Sequence, residues 1–155
     1  MSTTLIGVIS DTHGLLRPEA VEALHGVDLI MHGGDIGKPE VLSDLEKIAP
    51  VVAVRGNNDR DSWARAIPET QTVEVRGLSL YMVHDIKTIN DDVAGKDVII
   101  FGHSHKPVVE NRDGVLYLNP GSAGRRRFSL PVTVARLRIS DSVPYAEIIE
   151  LRIQK

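Results

Sequence analysis

The first part of the chain alternates short apolar runs with amphipathic segments. Leu5 to Ser10 is apolar and closes on Asp11-Thr12-His13-Gly14. Pro18 then opens Glu19 to Leu24, an amphipathic stretch that begins where a proline's missing N–H does no harm to a helix. The unit returns with Val27 to Met31 as strand, His32-Gly33-Gly34-Asp35 as exit loop and Pro39 to Ile48 as helix before Pro50. A third round has Val51 to Val54 as strand, Arg55-Gly56-Asn57-Asn58-Asp59 as loop and Asp61 to Ala66 as a short helical turn. Strands alternating with helical segments predict βαβ units and a largely parallel sheet.

The second half changes period. Thr70 to Val75 and Leu78 to Val83 flank Arg76-Gly77, a tight hairpin signal, and His84-Asp85 follows. A short helix is expected over Ile89 to Ala94, then a buried strand over Asp97 to Phe101 that runs into Gly102-His103-Ser104-His105. Val108 to Asn111 and Val115 to Leu118 pair across Arg112-Asp113-Gly114. The loop Asn119-Pro120-Gly121-Ser122 precedes two longer strands, Val132 to Ile139 and Tyr145 to Ile153. No linker or repeat divides the chain, so residues 1–155 are expected to pack as one sandwich with helices outside.

Composition narrows the function classes. A chain of 155 residues suits one core, and a net charge of -3 leaves no general nucleic-acid-binding surface. With no cysteine, disulfides, thiolate metal sites and thiol nucleophiles are excluded, so any metal is held by oxygen and nitrogen. No basic leader or long apolar stretch is seen at Met1-Ser2-Thr3-Thr4 or beyond. The expectation is a cytoplasmic protein without a membrane span.

The polar residues at strand exits are Asp11, His13, Asp35, Asn57, His84, His103 and His105. In a parallel sheet such ends share one edge, so residues distant in sequence can converge. Asp, Asn and His together suit divalent first-row metals such as Mn²⁺, Fe²⁺, Ni²⁺ or Zn²⁺. Seven donors exceed the needs of one ion that must also bind water or substrate. Two ions, about 3.5 to 4 Å apart in known sites, hold the attacking and leaving oxygens of an in-line displacement, so phosphoryl hydrolysis is the leading chemistry.

Taken one at a time, these residues also have plainer roles. Asp11 and Asp35 suit helix N-caps, His103 and His105 a surface loop, Asn57 a turn, and His84 a structural strand end. For His25 and His32 the helix-end and loop roles are preferred.

In order and rough spacing, Asp11-Thr12-His13, Gly34-Asp35, Gly56-Asn57-Asn58-Asp59, His84 and Gly102-His103-Ser104-His105 resemble the motifs of the calcineurin-like metallophosphoesterases. The Asn119-Pro120-Gly121-Ser122 segment is similar to one in the small phosphodiesterase branch of that family. The resemblance spans essentially the whole chain. It implies an α/β fold, a four-layer αββα sandwich of two mixed β-sheets flanked by helices. It also implies a first metal on Asp11, His13 and His105, a second on Asn57, His84 and His103, and Asp35 bridging them. The nucleophile is then a bridging water, acidified to hydroxide by both ions, and the cofactors are two divalent metals, Mn²⁺ first, with Ni²⁺, Fe²⁺ or Zn²⁺ as alternatives.

Two positions depart from that pattern. Asn58 stands where many members carry a catalytic His, and Ile86 where a second His often follows His84. Asn58 can donate a hydrogen bond but cannot transfer a proton at neutral pH. Activity is therefore expected on activated small phosphodiesters rather than alkyl monoesters. Arg125, Arg126 and Arg127 form the one basic run, and a guanidinium from it is a candidate for substrate phosphate binding. The rival functions are a phosphomonoesterase or nucleotide hydrolase, and a non-catalytic scaffold like the retromer subunit that resembles this family. A homo-oligomer is compatible with open sheet edges.

Overall fold

The computed structural model describes residues 2–89, 93–127 and 129–153. Its described strands form two five-stranded mixed sheets. In the first, β1 (Thr3–Ile9), β2 (Leu29–His32) and β3 (Val51–Ala53) run parallel, as the alternating pattern requires. β9 (Thr133–Ser140) pairs antiparallel with β1, and β10 (Val143–Glu150) with β9. The second sheet contains β4 (Thr70–Val75), β5 (Leu78–Val83), β6 (Val98–Ile100), β7 (Val108–Arg112) and β8 (Val115–Asn119), in the order β4-β5-β6-β8-β7. Here β5, β6 and β8 are parallel neighbours, while the outer pairs β4–β5 and β7–β8 are antiparallel hairpins.

Period-two burial assembles the layers. Ile6 and Val8 of β1 meet Leu80, Met82, Ile100 and Leu118 in the core between the sheets. The other face of β1 turns Ile9 toward helices α1 (Pro18–Ala23) and α2 (Pro39–Glu46), whose apolar sides carry Ala20, Val41 and Leu45. Gly7 allows α1 to lie close, since a Cβ there would stand 2.6 Å from Leu24 Cδ2. The last two strands rejoin the first sheet because Val134, Ala135, Leu137 and Ile139 are all buried, a pattern that fits an interior position beside β1.

Among the described residues, the outer face of the second sheet carries less helix than that of the first. Tyr81, Val83, Ile99 and Phe101 pack there against Ile86, Ile89 and Val93, and the helical element among the described residues is a single 3₁₀ turn, Ile86–Thr88. The helix expected over Ile89 to Ala94 falls partly on residues 90–92, outside the described residues. All three hairpins close on two-residue turns with positive φ at both positions: Arg76-Gly77, Asp113-Gly114 and Asp141-Ser142. No helix among the described residues is long and apolar enough to cross a membrane.

The plain loop role expected for His32 gives way to a more demanding one. It ends β2, fully buried, with the Gly34 N–H donating to Nδ1 at 3.1 Å. That leaves Nε2 to carry the proton, which it donates to Thr12 Oγ1 at 3.0 Å; the Thr12 hydroxyl donates in turn to the Ile36 carbonyl at 2.9 Å. The neutral ring thereby ties the loop after β1 to the loop after β2. Burial pushes its pKa down from 6.5 to about 4, despite the fields of Asp11 and Asp59.

Between those pH values the unfolded chain binds a proton that the folded one does not, so stability falls as pH falls. The contribution from His32 should decline by about 3 kcal/mol between pH 7 and pH 4. Urea denaturation of metal-free protein across this range should show a pH slope about one proton steeper for the native chain than for His32→Gln. Equal slopes would mean that His32 is not held neutral.

Candidate metal centre

The C-terminal ends of β1, β2 and β3 in one sheet face those of β5 and β6 in the other. The expected convergence of strand ends therefore occurs across two sheets rather than along one. It brings together two groups of metal-competent side chains, Asp11, His13 and His105 in one and Asp35, His84 and His103 in the other, each with its potential ligand atoms within 4.8 Å of one another. In the first, Asp11 Oδ1 lies 3.4 Å from His105 Nε2 and 3.9 Å from His13 Nε2. Asp35 Oδ2 stands between the groups, 3.7 Å from His13 Nε2 and 3.3 Å from His84 Nε2.

Hydrogen bonds behind these side chains aim them. Asp11 is fully buried, and its Oδ2 accepts from Ser10 Oγ at 2.7 Å and from the His103 N–H at 3.1 Å, which leaves Oδ1 facing the imidazoles. His84 Nδ1 donates to the Gly33 carbonyl at 2.7 Å, so the Nε2 lone pair is turned toward Asp35 and Asp11. Burial raises the cost of ionising Asp35, but the adjacent His84 imidazole, the Asn58 N–H and the field of His13 outweigh it and hold the pKa at about 2. His84 is shifted the opposite way. Burial opposes its imidazolium, yet the neighbouring Asp35 and Asp11 carboxylates raise its pKa above the ordinary value.

The backbone is committed as well. Among the described residues, nine non-glycine positions have positive φ; four are the hairpin-turn residues, and the other five are Asp11, His13, Asp35, His103 and His105. Asp and His tolerate this region better than most residues, but each such position still carries strain that the surrounding contacts must hold. Part of that holding falls to two residues that lie in the motifs but to which the sequence assigns no role. Asp59 accepts from the N–H groups of Ile36, Gly37 and Gly56, all at 3.0 Å, and clamps the loop after β2 to the loop after β3. Asn119 donates to the Gly102 carbonyl at 3.2 Å and to Ser104 Oγ at 3.1 Å, bracing the His103/His105 loop. A Cβ on Gly56 would run into Asp35 itself, so the loops meet there only without a side chain.

The remaining candidates occupy the margin. Asn57 is exposed and lines a groove beside His84. Asn58 is also exposed; its N–H donates to Asp35 Oδ1 at 3.0 Å and its amide to Oδ2 at 3.1 Å. Ile86 packs on the outer face of the second sheet. Arg125, Arg126 and Arg127 are exposed and follow Gly124, where an added Cβ would run into the Asp11 and Thr12 carbonyls; Arg126 Nε donates to the Leu130 carbonyl at 3.3 Å. His25 lies after α1 and contributes its carbonyl to Arg136, away from this cluster.

Four buried polar atoms here have no hydrogen-bond partner: Asp11 Oδ1, His13 Nε2, His84 Nε2 and His105 Nδ1. A buried unpaired polar atom is costly and uncommon, and the three that converge, Asp11 Oδ1 with His13 Nε2 and His84 Nε2 each 3.9 Å away, are what divalent cations would satisfy. Mixed carboxylate and imidazole donors suit first-row transition ions. The residues present therefore fit two ions, with Asp35 between the groups.

Residues 4–142 match the family model described as the calcineurin-like phosphoesterase superfamily domain. A probable metallophosphoesterase of Methanothermobacter thermautotrophicus is 38% identical, over 94% of this chain and 91% of its own length. A phosphodiesterase of Methanocaldococcus jannaschii is 32% identical, over 75% of this chain and 82% of its own. Vacuolar protein sorting 29 from Cryptosporidium parvum superposes with a TM-score of 0.74 over 96% of this chain and 98% of its own, at 19% identity, a likeness of fold. On the family model and the identity to these relatives, the chain belongs to the calcineurin-like phosphoesterase superfamily, in its branch of small phosphodiesterases.

Proposed function

We propose that this protein is a phosphodiesterase that works with two divalent metal ions, Mn²⁺ first among them. The observation that carries the reading is the set of unpartnered buried atoms on Asp11, His13 and His84, gathered on both sides of Asp35. Asp11, His13 and His105 would hold the first ion, and Asp35, His84 and His103 the second, with Asn57 at its margin and Asp35 near both. When bound, such ions acidify water and offset the charge that gathers on phosphoryl oxygens.

The protein's own groups fix the geometry. The Ser10 hydroxyl and the His103 N–H hold Asp11 from behind, and the Gly33 carbonyl sets the His84 tautomer. Asn58 donates twice to Asp35, which keeps that carboxylate ionised and oriented. The same position cannot deliver a proton to a leaving oxygen, help that is worth roughly 10² to 10⁴-fold where it is present. Diesters with good leaving groups are the substrates this arrangement favours. The arginine run, which starts beside the Asp11 loop, is the candidate for holding a non-bridging phosphate oxygen.

After chelation and reloading with Mn²⁺, Ni²⁺ or Zn²⁺, the protein should hydrolyse bis(4-nitrophenyl) phosphate and turn over an alkyl phosphate monoester far more slowly. No hydrolysis with any metal would falsify the enzyme reading. Asn58→His should raise the rate most for esters with poor leaving groups, by about tenfold or more; an equal effect on every ester would show that position 58 supplies no proton. In an Arg125→Ala, Arg126→Ala and Arg127→Ala series, at least one variant should raise KM several-fold with little change in kcat, and three unaltered KM values would remove the run from the substrate site.

A further inference from the structure

A groove of about 780 Å³ opens beside the second metal group. Asn57 and His84 form its head. From there it runs over the outer face of the second sheet at the β4–β5 edge, where Thr70 pairs with Val83 and Thr72 with Tyr81. His84 to Tyr81 is three residues of strand, about 10 Å at the usual rise per residue. Thr88, Ala94 and Lys96 also line the groove.

The lining selects a kind of occupant. Thr70 and Thr72 are exposed and make no side-chain hydrogen bond among the described residues, whereas the Thr88 hydroxyl is already spent on the Asp85 carbonyl at 2.7 Å. The charges nearly cancel: Arg55 is paired with Glu69 at 3.0 Å, and Asp85 lies opposite Lys96 in the balance. Neither a polyanionic tail nor a strongly cationic one is favoured. Tyr81 presents a half-buried ring at the far end, with the Lys96 ammonium 6.0 Å from its centroid. Free hydroxyls in the middle and an aromatic face at the end suit an uncharged, hydroxyl-bearing group that terminates in a flat ring.

We propose that this groove is the subsite for one ester arm of the phosphodiester, that it takes an arm with the chemistry of a nucleoside, and that the phosphorus lies at the Asn57–His84 end. The inference rests on the phosphodiesterase reading. It also supplies a second reason for preferring diesters, because a monoester whose one organic group is leaving has no further arm to place on Thr70, Thr72 and Tyr81.

Two chromogenic diesters with the same leaving group test it: thymidine 5′-(4-nitrophenyl phosphate) and methyl 4-nitrophenyl phosphate, with Mn²⁺-loaded full-length protein. The native chain should favour the thymidine ester in kcat/KM by about tenfold or more, as stacking and hydroxyl contacts of this kind allow. Thr72→Leu, which fills the groove from an exposed edge-strand position, and Tyr81→Ala, which removes the ring, should each bring that ratio toward one. The ratio is read within one preparation, so loss of folded protein does not move it. No preference in the native chain, or a ratio unchanged in both variants, would overturn the subsite. If neither ester is cleaved, the diesterase reading fails and calorimetric binding of thymidine 5′-methyl phosphate to the Mn²⁺-loaded protein decides the groove. Binding weakened about tenfold by Thr72→Leu supports it, and no binding, or binding that the substitution leaves unchanged, overturns it.

Discussion

Two buried carboxylates, Asp11 and Asp35, share a small volume with the imidazoles of His13, His84 and His105 at separations of 3.3 to 3.9 Å. Removing such charges from water is expensive unless they are paired and hydrogen-bonded. The protein answers that cost on the far side of each group. Ser10 and the Gly33 carbonyl occupy the far side of Asp11 and His84 and leave their inner atoms unmatched, while Asp35 accepts from Asn58 at both oxygens. An arrangement that satisfies the outer atoms and strands the inner ones is built around something it must still receive.

That requirement explains the local backbone. Five of the site residues sit at positive φ, a conformation that turns each side chain inward immediately after its strand ends. Holding it takes loop-to-loop ties: His32 between Thr12 and Gly34, Asp59 across the loops after β2 and β3, and Asn119 under the His103/His105 loop. Each group of metal-competent side chains draws on both sheets, so their shared core of Ile6, Val8, Leu80 and Ile100 also sets the distances within each group. Packing and chemistry are coupled here through strand ends rather than through any single long element.

The six Asp and His side chains that converge were legible in the sequence because each follows an apolar run, and because Asp and His in those loops have few common uses in combination. Strand and hairpin positions were legible for the same reason, from period and turn residues. The supporting network was much less so. His32 looks like a loop histidine until the parallel pairing of β1 with β2 places it against Thr12, and Asp59 reads as a turn residue until three amides are seen to converge on it. Which sheet β9 and β10 join is a long-range choice that local periodicity does not encode; burial of Val134 to Ile139 against β1 decides it. The groove over Thr72 and Tyr81 brings together residues from the loop after β3, from β4 and β5 and from the segment before β6, and no local pattern announces that.

The central claim is that Asp35 stands between two ions held by different histidines. Crystals grown with Mn²⁺ and measured for anomalous scattering test it most directly. The account predicts two peaks per chain, one against Asp11, His13 and His105 and one against His84 and His103, with the Asp35 carboxylate touching both. A single peak, or none at full Mn²⁺ saturation, would contradict it.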